Sequence, residues 1–288
     1  MSKNNKFIIG TAQFGMKYGI SNTNGQVSKE EILKIITFAQ NMGVNKLDTA
    51  MSYGFAENIL GEIGLKNWKV ISKIPKIPDE INFESWFSSK FNKILNNLRQ
   101  EKLYGLMLHD PNILLSKKGD TVYNSLISAK KSGHIAKIGI SSHNLEDIKP
   151  IFERYNLDII QVPINIFDRR IITNGLLEYF LKNKIEVHAR SIFLQGLLLM
   201  RRNCRNKKFN HWSKLFQDWD DWLYDNKLSP IEACVNFIMN LNGISNVVIG
   251  IQNLKQLKEI FKVDIKQNLF FPKLISCEDP KLINPFNW

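Results

Sequence analysis

Residues 43–61 read GVNKLDTAMSYGFAENILG, and this stretch contains the unit that decides the fold. An apolar strand is predicted over 45–50 and a helix over 56–65, with a polar loop between them. Asp48 falls near the end of the strand and Tyr53 lies in the loop. The stretch is therefore a strand–helix repeat that carries polar groups at the carboxyl end of its strand.

The same strand–helix unit recurs along the whole chain. Its strands are nearly continuously apolar, as expected for a parallel sheet covered by helices. They are predicted over 7–14, 45–50, 69–74, 103–109, 135–141, 159–164, 186–192 and 246–249. The helices are predicted over 28–42 with Ser28 as N-cap, 56–65, 83–99, 121–132, 145–155 with Asn144 as N-cap, 176–183, 230–242 and 254–261. Eight such units predict the α/β class and a closed (β/α)8 TIM barrel. An open doubly wound sheet is the alternative, but no G-x-G-x-x-G turn follows the first strand.

Two segments do not fit the repeat. Residues 193–228 form an insertion, or extended loop, after strand 7; its aromatic side chains predict an extra packed helix. Because the loop follows a strand, we expect it on the catalytic face, where it shapes a substrate pocket. Packing against neighbouring helices is the alternative role of its aromatic residues. Residues 264–288 form a tail that wraps the barrel or covers its mouth, and we expect one barrel domain over 1–288.

Composition excludes several classes of protein. The chain of 288 residues is 44% hydrophobic and 23% charged, as in soluble globular proteins. No apolar run reaches the roughly 18 residues of a membrane span, and the first residues do not resemble a signal peptide. We therefore expect a cytoplasmic protein. No metal site is expected, since the three cysteines lack zinc-site spacing; they are Cys204, Cys234 and Cys277.

The net charge of +12 comes mostly from dispersed lysines. The one dense basic cluster has no recognisable nucleic-acid module around it and comprises Arg201, Arg202, Arg205, Lys207 and Lys208. We expect no nucleic acid and no membrane as partner, and a role for the cluster in attracting an anionic ligand. The oligomeric state is not indicated.

Four polar residues point to a chemistry. Asp48, Lys73 and His109 end successive predicted strands, and Tyr53 follows the first of these. Catalytic groups of barrels collect at the carboxyl ends of strands, and adjacent strands lie about 5 Å apart, so these side chains can converge. Reduction of a carbonyl leaves an alkoxide that needs a proton. A free phenol holds its proton at neutral pH, and an ammonium beside it favours the phenolate.

The motifs around these residues resemble those of the aldo/keto reductases. The residues 43–61 match that family's Asp/Tyr signature, while ISK at 71–73 and LMLHDP at 106–111 are similar to its lysine and histidine segments. Its cofactor-side motifs are similar to GISS at 139–142, QV at 161–162 and ARS at 189–191. The resemblance extends from about Ile8 to Phe261.

The resemblance implies specific roles for these residues. Tyr53 would be the general acid, tuned by Lys73 and Asp48, and His109 would orient the carbonyl. The cofactor would be NADPH or NADH, bound in extended form without a Rossmann domain. Its carboxamide would meet Ser141, Ser142 and Gln161, its pyrophosphate Ser191, Gln195 and Gly196, and its adenosine end Gly250, Ile251, Gln252, Gln256 and Glu259.

The chain departs from the family pattern at three places. Ser142 replaces an asparagine, and Arg190 stands where an aromatic ring commonly stacks on the nicotinamide; a guanidinium plane can stack too. Gln252 and Gln256 are neutral where a basic residue often meets the 2′-phosphate, although Lys255 or Lys258 could substitute. We expect NADPH, with NADH as the alternative.

The expected reaction is NAD(P)H-dependent reduction of a carbonyl to an alcohol on a small polar metabolite. The insertion and the ending LINPFNW resemble family members associated with bacterial surface-polysaccharide pathways, which makes a sugar or nucleotide-sugar the candidate substrate. Two alternatives stay open: a Schiff-base lyase or aldolase that uses Lys73, and a redox-sensor module that holds the nicotinamide cofactor for a protein partner.

Overall fold

A computed structural model of the chain describes residues 3–78, 81–267 and 269–288. Its centre is a closed barrel of eight parallel strands in which each strand pairs with its neighbours in sequence and β8 closes on β1. The predicted (β/α)8 barrel is confirmed. The strands are β1 Phe7–Gly10, β2 Lys46–Asp48, β3 Lys69–Ile74, β4 Leu103–Leu108, β5 Ile135–Ser141, β6 Ile159–Pro163, β7 Glu186–Arg190 and β8 Ile244–Gly250.

Helices alternate with the strands around the barrel. They are α1 Ala12–Gly15, α2 Lys29–Asn41, α3 Ala56–Ile63, α4 Phe83–Leu98, α5 Gly119–Lys131, α6 Ile148–Arg154, α7 Arg170–Thr173, α8 Leu176–Lys182, α9 Ser213–Asp225, α10 Pro230–Asn240, α11 Leu254–Lys262 and α12 Pro280–Ile283. Side-chain caps fix where several begin. The Ser28 side chain accepts from the Glu31 amide at the start of α2, and Ser229 and Glu232 form a capping box at the start of α10.

The barrel interior is divided into layers. An apolar layer crosses its middle and consists of Ile8, Ile71, Met107 and Ile159. Glycine is required beside it, because a Cβ at Gly139 would lie 2.2 Å from the Ile159 carbonyl oxygen. Polar side chains lie above this layer at the carboxyl ends of the strands and below it at the amino ends. The two polar layers are therefore separated by packed hydrocarbon.

Two predicted boundaries were wrong by more than two residues. The first strand ends at Gly10, not at 14, because the chain turns at Thr11 into α1, where the Met16 amide donates to Ala12 O. Helix α6 begins at Ile148, not at 145. Asn144 caps the preceding turn, since its side chain accepts from the Glu146 amide and donates to Asp147.

The insertion after β7 is made of 3-10 turns, Leu194–Leu199, Arg202–Cys204 and Lys207–Trp212, followed by α9. Helix α9 buries Phe216, Trp219 and Leu223, and the Trp219 indole donates to Leu198 O. The tail is fastened to this insertion. The Trp212 indole donates to Asp279 Oδ2 at 3.1 Å, and the rings of Phe209 and Trp288 lie 5.2 Å apart.

Candidate active site

A cavity of about 830 Å³ opens at the carboxyl end of the barrel. Asp48, Tyr53 and His109 line it on the side of β2 and β4, and Gln252 and Glu259 line it beyond β8. The volume lies within the range of small-molecule and cofactor sites. Most residues predicted for catalysis and cofactor binding therefore face one continuous space.

Lys73 lies in the polar layer at the carboxyl end of the barrel, above the apolar layer, and contacts several of its other polar groups. Its ammonium lies 2.6 Å from Asp48 Oδ1, 3.1 Å from Thr49 O and 3.5 Å from the Tyr53 hydroxyl, and its side chain is 0% exposed. Burial by itself lowers the pKa of Lys73, but Asp48 and Tyr53 together raise it above its ordinary value. The buried amine is therefore charged, and it faces the phenol on one side and a carboxylate on the other.

His109 stands beside the phenol. The rings of Tyr53 and His109 lie 6.2 Å apart at 84°, and Ser52 Oγ is 3.2 Å from His109 Nδ1. Burial, with smaller contributions from Lys73 and Arg190, lowers the pKa of His109 to about 4. The imidazole is therefore neutral near pH 7 and can donate a hydrogen bond without bringing a second charge.

Gln161 links this group to the strands on the opposite side. Its Nε2 donates to Asp48 Oδ2 at 2.7 Å, and its Oε1 accepts from Ser141 Oγ at 3.4 Å. Both Gln161 and Ser141 line the cavity. The carboxylate that holds Lys73 is thus also held from β6.

The backbone after β7 is unusual. Three non-glycine residues adopt positive φ, Ser191 at 57°, Leu194 at 47° and Gln195 at 53°, and Gly196 follows at 92°. Such conformations cost on the order of 1–3 kcal/mol each and persist where the surroundings fix them. A Cβ at Gly196 would lie 2.0 Å from Ser21 Oγ, so only glycine fits.

The cavity suits an extended dinucleotide. Ser191, Gln195 and Gly196 line it, and the left-handed backbone at these positions leaves amides near the cavity that can hold phosphate oxygens. Gln13 also faces the cavity, and its buried Oε1 has no hydrogen-bond partner within the described residues. Beyond β8 the lining side chains are Gln252, Gln256 and Glu259, with Gly250 beneath them.

Of the remaining residues predicted to bind the cofactor, Arg190 lines the cavity but Ser142 and Ile251 do not. Arg190 lines the cavity, and its guanidinium donates to Ser142 O at 3.3 Å and to Ser191 Oγ at 3.4 Å. The Ser142 hydroxyl turns away and donates to Asn144 O at 2.7 Å. Ile251 is fully buried. Neither Ser142 nor Ile251 belongs to the cavity lining.

The cavity lining also includes polar and aromatic residues that the sequence interpretation did not assign, among them Gln13, Tyr18, His143 and Phe286. The Tyr18 hydroxyl accepts from Gln195 Nε2 at 3.1 Å, and burial, then Tyr53, raise its pKa. Gln13 and Tyr18 follow the first apolar run, which is the signal that could have found them. His143 directly follows a predicted cofactor motif.

Across residues 3–78, 81–267 and 269–288, no group of three or more His, Cys, Asp or Glu side chains is arranged to hold a metal ion. Within the same described ranges, none of the helices combines the length and the apolar composition that a membrane span requires.

Known proteins resemble this chain in sequence pattern and in fold. The model of the aldo/keto reductase family matches residues 6–267. The holo form of an aldo-keto reductase from Bacillus halodurans superposes with a TM-score of 0.74 at 18% identity, over 92% of this chain and 88% of that chain. A glycerol dehydrogenase from Gluconobacter oxydans superposes with a TM-score of 0.71 at 21% identity, over the same shares. None of the curated proteins matches the chain significantly.

Proposed function

The chain belongs to the aldo/keto reductase family of oxidoreductases, and from this premise we propose that it reduces a carbonyl on a small polar metabolite to an alcohol with NAD(P)H. One observation carries the proposal: the Lys73 ammonium lies 2.6 Å from Asp48 Oδ1 and 3.5 Å from the Tyr53 hydroxyl, at the edge of the cavity. Each of these side chains then has one task in the reaction.

Tyr53 donates its proton to the carbonyl oxygen as negative charge develops there. The phenolate that remains is stabilised by the Lys73 ammonium. Asp48 keeps that ammonium charged and fixes its direction. When bound, the reduced nicotinamide supplies the hydride.

His109 positions the substrate. A neutral imidazole beside the Tyr53 ring can donate to the carbonyl oxygen and so turn it toward the phenol. Because the ring stays neutral, it does not compete with Lys73 in stabilising the phenolate. A substitution at His109 should therefore change substrate orientation more than cofactor affinity.

The cofactor is held by residues of the second half of the barrel. We assign the carboxamide to Ser141 and Gln161, the nicotinamide face to Arg190, the pyrophosphate to Ser191, Gln195 and Gly196, and the adenosine end to Gly250, Gln252, Gln256 and Glu259. Ser142 and Ile251 act through their backbone or packing. For the dinucleotide we retain NADPH, and the neutral Gln252 and Gln256 make NADH the alternative to measure against it.

For the substrate we propose a sugar or nucleotide-sugar of a surface-polysaccharide pathway. The basic cluster of the insertion supports an anionic substrate through Arg201 and Arg202, which are exposed. Arg205 is engaged within the insertion: it donates to Asp220 at 2.7 Å, and its guanidinium lies 4.6 Å from the Phe216 ring centroid. Arg201 and Arg202 are therefore the better positions for a test of anion attraction.

The proposal is tested by fluorescence titration with NADPH and NADH, followed by turnover of a panel of keto-sugars and simple aldehydes. We expect saturable binding of a reduced cofactor and its oxidation only when a carbonyl is present. Much faster reduction of simple aldehydes than of any keto-sugar, with unchanged kinetics after Arg201→Ala, would contradict the sugar substrate. No binding of either cofactor would contradict the reaction itself.

Borohydride trapping and multiple-turnover assays separate the alternatives. A Schiff-base lyase needs Lys73 as a neutral amine, whereas its ion pair with Asp48 keeps it charged, so borohydride should trap no substrate on Lys73. A purely sensory protein would bind the cofactor without repeated turnover. Rapid multiple turnover with a carbonyl would exclude that role.

A further inference from the structure

His143 follows β5, lines the cavity and is given no role in the reaction proposed above. Within the described residues, its Nδ1 is sealed from solvent and has no hydrogen-bond partner. The ring of Phe286, from the tail, packs edge-on against it at 4.9 Å and 75°. Nδ1 is therefore sealed, and Nε2 is the nitrogen that remains available to a ligand in the cavity.

The imidazole is neutral. Burial, and then the nearby Arg190, Arg170 and His109, lower the pKa of His143 to about 2. A neutral imidazole carries one N–H, on one of its two nitrogens. An N–H on the sealed Nδ1 would lack an acceptor, so the proton is better placed on Nε2, where a ligand or water can accept it. His143 therefore offers a single hydrogen-bond donor to the cavity.

The position of His143 places this donor near the reacting group. His109 and Arg190 are both close enough to act electrostatically on it, and both line the same cavity. His143 shares the cavity with His109, the residue proposed to orient the carbonyl, and its ring contacts Phe286 of the tail. A substrate whose carbonyl lies at His109 would bring its adjoining groups into the same cavity as this donor.

We propose that His143 is a specificity-determining residue that donates a hydrogen bond from Nε2 to a hydroxyl group of the substrate. The preferred substrates are then hydroxyaldehydes and hydroxyketones, a class that includes sugars. An unsubstituted aldehyde displaces water from this N–H without replacing the hydrogen bond, and the site discriminates against it for that reason. The inference rests on the proposed carbonyl reduction and deepens it.

The test compares two aldehydes of equal chain length, glyceraldehyde and propanal, with NADPH or NADH at saturation. We expect wild-type kcat/KM to favour glyceraldehyde by about 10-fold, the worth of one hydrogen bond near the upper end of the usual range. His143→Phe keeps a ring against Phe286 and removes both nitrogens. It should lower kcat/KM for glyceraldehyde about 10-fold, mainly through KM, and leave propanal unchanged.

Two further variants keep the test decisive. His143→Gln retains an N–H donor and should restore part of the preference even if the phenylalanine variant folds poorly, and cofactor affinity reports whether each variant is folded. His211→Phe, at an exposed position of the insertion, is the matched control and should behave as wild type. An equal preference in wild type and His143→Phe, or none in wild type, overturns the role of His143 and leaves carbonyl reduction standing. No turnover of either aldehyde overturns carbonyl reduction as well.

Discussion

Each end of the barrel contains a tyrosine, a lysine and a carboxylate, but the three groups are arranged differently. At the carboxyl end, Lys73 lies between the Tyr53 hydroxyl and Asp48. At the amino end, the Tyr104 hydroxyl donates directly to Glu186 at 2.9 Å, and Lys137 pairs with the same carboxylate.

The two tyrosines differ in what their hydroxyl groups contact. Burial, then Glu186, raise the pKa of Tyr104, because a phenol that donates to a carboxylate keeps its proton. Three ammonium groups within 5.5 Å of the Tyr104 ring centroid do not reverse this. Tyr53 meets the cation with its oxygen and has no carboxylate partner among the described residues. The two sites therefore differ mainly in where the carboxylate lies, not in the number of lysines. Glu186 contacts the Tyr104 hydroxyl directly, whereas Asp48 contacts Lys73.

Removal of each phenol is the strongest way to break this contrast. We expect Tyr53→Phe to lower turnover by ~10²-fold or more, the usual loss for a general acid, with cofactor affinity nearly intact. Tyr104→Phe is the matched change and should leave turnover within a few-fold of wild type. Steady-state kinetics with cofactor titration measure both. Equal activity of Tyr53→Phe and wild type would remove Tyr53 from the mechanism.

Removal of each lysine should give the next largest effect. Lys73→Met leaves the buried Asp48 charge uncompensated, so we expect about 3–5 kcal/mol of lost stability, a fall in turnover and a shifted pH profile. Lys137→Met affects a partly exposed pair and should cost about 1 kcal/mol or less. Denaturant unfolding and pH–rate profiles measure these outcomes. Similar losses of stability in the two variants would contradict the difference in burial between the Lys73–Asp48 and Lys137–Glu186 ion pairs.

The carboxyl end of the barrel also holds a second cation, Arg190. Both of its hydrogen bonds are longer than 3.2 Å. An oxidised nicotinamide is cationic and the reduced ring is neutral, so a nearby guanidinium disfavours the oxidised form. We expect Arg190→Leu to tighten binding of the oxidised cofactor relative to the reduced one, on the order of 10-fold. Separate equilibrium titrations of the two forms measure the ratio. An unchanged ratio would place Arg190 away from the nicotinamide.

The smallest effects concern pH and stability. The pKa of His109 is lowered to about 4, so the unfolded state binds more protons between pH 6.5 and 4, and the folded state loses stability as the pH falls through that window. Burial opposes the shift at Glu186, but hydrogen bonds from His188, Lys137 and Tyr104 hold its pKa at about 2. The stabilisation that depends on the ionised Glu186 is therefore lost at a lower pH, as the pH falls from about 4.5 to 2.

Two substitutions test these two pH windows. We expect His109→Gln to reduce the loss of folding stability between pH 6.5 and 4, and Glu186→Gln to reduce the loss below pH 4.5. The buried His143 and His188 contribute to the first window as well, so the effect of one histidine is partial. Thermal unfolding across pH 3–7 measures the slopes. The same slope change for both variants would argue against separate windows.

Local periodicity predicted the barrel and placed Asp48, Lys73 and His109 at strand ends, whereas the cofactor side of the cavity lining was expected only from the motifs that resemble those of the aldo/keto reductases. Apolar runs fixed the strands, and a residue that ends a strand must lie at the carboxyl end, as Lys73 does. Gln13, Tyr18 and Phe286 were missed because none of them ends a predicted strand: Gln13 lies in α1, Tyr18 in the loop after it and Phe286 in the tail. The first strand was predicted to reach 14 because a four-residue helix is too short to show a periodicity of its own. The chemical roles of the site residues stay predictions.

The amide of Gln161 connects two tasks that could otherwise vary independently. Its Nε2 is committed to Asp48 and its Oε1 accepts from Ser141, so its orientation cannot reverse without loss of both hydrogen bonds. A substitution at Asp48 would therefore also disturb the position of Ser141, because one amide holds both side chains. The insertion and the tail make no hydrogen bond to Gln161 among the described residues, so substitutions there can reshape the rim of the cavity without breaking this chain.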